Sequence, residues 1–306
     1  MSDHEPQIRR SVLDVTESER TVLFKALEQF VKKSQRADKA RSFKITAILL
    51  LIAGYVLFNV GALIYDPSVP HGGDYAAVVR MDGEISASKL LNASNYAEPL
   101  AKAFHDDNAK GVALVINSPG GSPAQSQLIH DMINRLEAET GKRAIVVSED
   151  YLASGAYMIA VSADKIYAPT TGFVGSIGVV MPGYDLSEFA ERYGIRDRTF
   201  TAGESKAPFN MLKSPTERDI EKVHEYLTDL HEEFIRLVKE GRGERIENAG
   251  VNLFTGEVWT GLRAERLGLT DGHLSLQDAI EAEFGVDQTR IYSPKLGFGQ
   301  LLQALM

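Results

Sequence analysis

Three short segments hold residue types that together could run acyl transfer. Asn117-Ser118-Pro119-Gly120-Gly121-Ser122 sets two glycines after an apolar run. Paired glycines let a backbone come close to a ligand and turn N–H groups into a cavity, as an oxyanion hole requires. Ala153-Ser154-Gly155-Ala156 lies between the apolar run 143–148 and an apolar stretch from Tyr157 to Val161. A serine at a strand-to-helix turn can expose its hydroxyl, and the next N–H, from Gly155, can share the oxyanion. Thr201-Ala202-Gly203-Glu204-Ser205-Lys206 adds a lysine. An ordinary lysine is charged near neutrality and takes a proton only after an apolar cleft strips its water. Taken singly, these are a tight turn, a helix-capping serine and a surface lysine.

Other chemistries find little support. There is no cysteine, so no disulfide, thiolate metal site or cysteine nucleophile. The seven histidines include His105-Asp106-Asp107 and His130-Asp131, but no pair has metal-ligand spacing. None has a Ser-His-Asp look, although sequence leaves His105 and His130 open as distant bases. No metal and no cofactor is expected. A net charge of −9 argues against a nucleic-acid surface, which is usually basic.

The elements that must position these segments alternate. Apolar runs at 75–81, 111–117, 143–148, 165–168 and 177–181 read as short strands. Leu128, Ile129, Met132, Ile133 and Leu136 share one helical face. A long helix is expected to open at Ser214-Pro215-Thr216-Glu217, carry the stripe Ile220, Val223, Leu227, Leu230, Phe234, Leu237, and end near Gly241. Strands alternating with helices imply an α/β domain with a mostly parallel sheet, whose sites gather beyond the carboxyl ends of strands.

Upstream, residues 45–65 carry no charge. As a helix they would span about 31 Å, enough for a bilayer core of about 30 Å. Six basic residues from Lys32 to Lys44 precede the run and Asp66 follows it. The expected organisation is a cytoplasmic tail (1–44), a transmembrane helix (45–65), a linker (66–74) and an extracytoplasmic, periplasmic domain (75–306) on a single-pass inner-membrane protein.

Five stretches in order resemble the signal peptide peptidases of the SppA type, which share the ClpP/crotonase-like fold. They are residues 116–122 (INSPGGS), 153–157 (ASGAY), 163–168 (ADKIYA), 172–179 (GFVGSIGV) and 258–268 (VWTGLRAERLG). The resemblance implies a membrane-anchored serine endopeptidase with Ser154 as nucleophile, Lys206 as general base and Ser176 orienting the lysine. It implies an oxyanion hole from Gly155 and Gly120 or Gly121, with Gly121 favoured. Implied partners are apolar peptides, notably signal-peptide remnants, and further copies of the chain in a homo-octamer that could share the dyad between subunits. Two alternatives remain open: a SohB-like or stomatin-associated Ser-Lys protease with another substrate, and a crotonase-like acyl-thioester-binding module.

Overall fold

The structure, a computed structural model, describes residues 21, 22, 24–26 and 28, then 73–203 and 206–294. The chain divides into two units, Met1–Pro67 and Ser68–Met306. In the first, the described residues are helical and exposed.

The second unit is an α/β domain. Its order is β1 (Tyr75–Asp82), α1 (Ala93–His105), β2 (Ala109–Ser118), α2 (Pro123–Thr140), β3 (Ala144–Ala153), α3 (Gly155–Ala160), β4 (Lys165–Tyr167) and β5 (Phe173–Gly175). There follow α4 (Ser187–Arg192), α5 (Glu217–Arg242), a 3-10 turn (Gly243–Ile246), β6 (Val258–Thr260), α6 (Gly261–Arg266), α7 (Leu276–Phe284) and β7 (Thr289–Tyr292). The strands form one sheet in the order β6-β5-β3-β2-β1-β7, with β4 also pairing β3. Every pair is parallel except β5–β6.

Period two explains the core. In β1 and β2, Tyr75, Ala77, Val79, Met81, Val112, Leu114 and Ile116 belong to one cluster with α1, α2 and α3. Ala76, Val78, Ala113 and Val115 belong to a second, with Ala279 and Ile280 of α7. Strands covered on both faces read as continuous apolar runs, which is how these segments look in the sequence.

Helix ends follow local chemistry. Ser122 caps α2 through Gln125 N–H, Pro123 opens it, and Gly141 closes it at φ 68°. The capping box of α5 is Thr216 with Asp219, two residues later than the expected start, and the helix runs to Arg242 rather than Gly241. Only its C-terminal half buries the stripe: Phe234, Leu237 and Val238 are in the core. The run 177–181 forms no strand. Its neighbour Phe173–Gly175 pairs with β3 instead, leaving Val180 82% exposed.

The expected transmembrane helix is corrected. Among the described residues, no helix is long and apolar enough to cross a membrane. The longest, α5, has 26 residues but carries charges on every turn. The segment 45–65 lies outside the described residues. The membrane-anchored function, the membrane as partner, the inner-membrane single-pass placement and the cytoplasmic and periplasmic assignments are therefore withdrawn.

Candidate active site

β3 changes neighbours along its length. Ile145–Val147 pair with β4, whereas Tyr151–Ala153 pair with β5 in the register Tyr151↔Phe173, Leu152↔Val174, Ala153↔Gly175. The two strands end level. The residue after each is a serine, and the two share an unusual backbone: φ is 53° at Ser154 and 52° at Ser176. No other described non-glycine residue has a positive φ. Such a conformation costs about 1–3 kcal/mol and persists only where the surroundings impose it.

The surroundings are visible. Ser154 N–H donates to Gly175 O at 2.8 Å, and Ser176 N–H donates to Glu257 O at 2.7 Å. Ser154 sits at the N-cap position of α3 but makes no side-chain capping bond. Its hydroxyl has no hydrogen-bond partner among the described residues, so the helix-cap reading of this serine does not hold. α3 itself is fixed by Tyr157, whose buried hydroxyl donates to Leu269 O at 2.8 Å. Burial pushes this phenol above its ordinary pKa, so it stays a donor.

The glycines crowd against the serine. A Cβ placed on Gly120 (φ 100°) would lie 2.7 Å from Ser154 Cβ and 2.9 Å from Gly155 N. Gly121 (φ 145°) would clash with Ile85 O at 2.1 Å. Ile85 N–H donates to Gly120 O, and Ser122 N–H donates to Ile85 O. This parallel bridge uses the groups flanking Gly121 and turns its own N–H to the opposite side. A Cβ on Gly155 would lie 3.5 Å from Gly121 N. The Gly121 and Gly155 amides therefore stand beside one another next to Ser154.

A cleft of about 80 Å³ opens here, lined by Gly121, Pro123, Ser154, Gly155, Met158, Val180 and Phe234 among others. Its walls are mainly apolar, with Pro123, Met158, Val179, Val180 and Phe234 among them. A larger groove of about 670 Å³ lies between the loops 181–185 and 208–213 and the first turns of α5, and holds none of the serines.

Lys206 stands apart. It is exposed, its N–H donates to Gly203 O, and no hydrogen bond joins it to Ser154 or Ser176 among the described residues. His130 is buried and its Nδ1 lies 3.0 Å from Asp131 Oδ1. His105 bonds Ala101 O within α1. Neither ring touches a serine of the site. The structure thus gathers Ser154, Ser176, Gly120, Gly121 and Gly155, and does not bring Lys206 into contact with them. Sequence reasoning put Phe234 on a helical stripe without placing it at the cleft, and missed Ile85 and the Glu257 carbonyl, which reach the site from distant loops with no local signal.

The family model for peptidase family S49 matches residues 137–284, a stretch that holds both serines and Lys206. A protein of Methanocaldococcus jannaschii named "Putative protease MJ0651" is 31% identical over 255 residues, 78% of this chain and 81% of that one. The chain belongs to peptidase family S49. Its 68–306 unit carries a serine-peptidase domain of this family. "Protease 4" of Haemophilus influenzae, similarly, is 31% identical, covering 69% of this chain and 35% of that protein. A Brucella melitensis protein named "Na(+)/H(+) antiporter NhaA" is 40% identical over 213 residues, 68% of this chain but 29% of that one. The S49 chain thus spans under a third of that relative's length.

Proposed function

We propose that this S49 chain is a serine endopeptidase in which Ser154 is the nucleophile and Lys206 the general base. The observation that carries the reading is the Ser154 turn: a strained, uncapped serine facing an apolar cleft beside two glycine amides. Neutral Lys206 takes the Ser154 hydroxyl proton as Oγ attacks the scissile carbonyl carbon. The Gly121 and Gly155 N–H groups hold the oxyanion, with Gly120 giving the backbone its close approach. The proton passes to the leaving amine, and water then releases the acyl group with Lys206 again as base. Ser176, level with Ser154 on the next strand, orients the lysine amine.

The small, mainly apolar cleft of about 80 Å³ favours a small apolar side chain at the cleavage point. Turnover of a fluorogenic peptide with alanine at the cleavage point tests the reading. Ser154→Ala and Lys206→Ala should each abolish it. Wild-type turnover by either variant would refute the assignment.

A further inference from the structure

The sheet carries a defect beside the nucleophile. β2 and β3 pair evenly from Val112↔Ala144 to Ile116↔Ser148, and the next pair is Ser118↔Leu152. Three residues of β3, Glu149, Asp150 and Tyr151, therefore stand against Asn117 alone. Before this bulge β3 runs beside β4, and after it beside β5. The bulge is where the strand is re-aimed, and it lies three residues before Ser154. Bulges near active sites commonly redirect a side chain in this way.

A bulge leaves ladder groups without partners. Here the Asn117 side chain replaces one: its Oδ1 accepts Tyr151 N–H at 3.1 Å, and its Nδ2 donates toward Asp150 Oδ2 at 3.4 Å. The Asn117 carbonyl also accepts Gly83 N–H at 2.9 Å, tying down the loop whose Ile85 seats the Gly120-Gly121 turn. One residue thus holds both the strand that delivers Ser154 and the loop that braces the oxyanion amides.

We propose that Asn117 is a positioning residue that sets the angle at which β3 presents Ser154 to the Gly121 and Gly155 amides. It touches no substrate and acts through Tyr151. The inference rests on Ser154 being the nucleophile. The amide is required because it accepts from Tyr151 and donates to Asp150 at once; the same pair of bonds forms if the two side chains exchange types.

The test is the acylation rate of the full chain with a fluorophosphonate, alongside kcat and KM for the fluorogenic peptide and a thermal melt. Asn117→Ala should stay folded and lose at least tenfold in acylation rate and kcat, with KM within about threefold. Asn117→Asp should be slowed as well, because its carboxylate faces Asp150. The exchanged pair N117D/D150N restores both bonds and should recover at least fivefold over Asn117→Asp. A folded Asn117→Ala that acylates at the wild-type rate would overturn the proposal. So would an exchanged pair no faster than Asn117→Asp, a comparison that decides the matter even if the alanine variant does not fold. A wild-type chain that takes no label at Ser154 would sink the nucleophile and this proposal together; labelled wild type with equally fast Asn117→Ala sinks the proposal alone.

Discussion

Ser154 and Ser176 follow paired residues of neighbouring parallel strands, Ala153 and Gly175, and adopt the same strained φ of 53° and 52°. The first N–H after β3 bonds the last carbonyl of β5, Ser154 to Gly175 at 2.8 Å. The two serines thus follow the carboxyl ends of neighbouring strands through a single repeated backbone device. Neither position would keep a non-glycine residue for stability alone.

Replacing Ser154 with glycine should therefore stabilise the domain while ending its activity. Relief of a strain of about 1–3 kcal/mol exceeds the entropic cost of glycine, about 0.5–1 kcal/mol. A net gain of about 1 kcal/mol should raise Tm by about 2–4 °C. Differential scanning calorimetry checks this. Ser154→Ala keeps the strain and should gain nothing.

Gly120→Ala should be far more damaging than its size suggests. The new methyl would meet Ser154 Cβ at 2.7 Å and Ala153 O at 2.8 Å, at a φ of 100°. Backbone must shift at Ser154. Loss of one oxyanion donor alone costs about 10²–10³ in kcat, and a fall of at least that size is expected in the peptide assay.

Glu137 should give the fold a pH dependence unrelated to catalysis. Burial pushes this half-buried carboxyl from 4.5 up to about 7, against the Ala144 N–H bond that favours its charge. The folded pKa exceeds the unfolded one, so the native state binds the extra proton. Its stabilising contribution is complete below about pH 4.5 and lost as pH rises through about 7. Water reaches part of the group, which limits the effect to about 1–2 kcal/mol. Denaturant melts at pH 5 and 8 should show Glu137→Gln gaining on the wild type at pH 8.

Arg242 should be a stability residue. It is 2% exposed, and its Nε donates to Gly268 O and its Nη1 to Asp271 Oδ2, each at 2.8 Å. Burial disfavours the Asp271 charge, but Arg242 outweighs it and holds the carboxyl below the usual range. Removing one partner of such a pair costs about 3–5 kcal/mol. Arg242→Ala should lower Tm by roughly 10 °C and leave the fluorophosphonate reaction intact at low temperature.

Much of the domain was legible because its physics is local. The continuous apolar runs 75–81, 111–117 and 143–148 gave the central parallel strands β1, β2 and β3, and the S49 motifs marked Ser154 and Ser176. What escaped was non-local. The bulge opposite Asn117 extends β3 to Ala153 through Glu149, Asp150 and Tyr151, whose polarity reads as a loop. Ile177–Met181 reads as a strand because it is apolar, yet Ile177 packs in the core while Val179 and Val180 line a cleft. The uncharged run 45–65 and its basic flank led to an expected membrane span that no described helix bears out.

The central claim is that Ser154 is a nucleophile activated by Lys206. Peptide mapping by mass spectrometry after fluorophosphonate treatment at pH 8 tests it most directly. The account predicts a single adduct, on Ser154, that fails to form in Lys206→Ala. An adduct on another residue, no adduct in the wild type, or equal labelling of Lys206→Ala would contradict it.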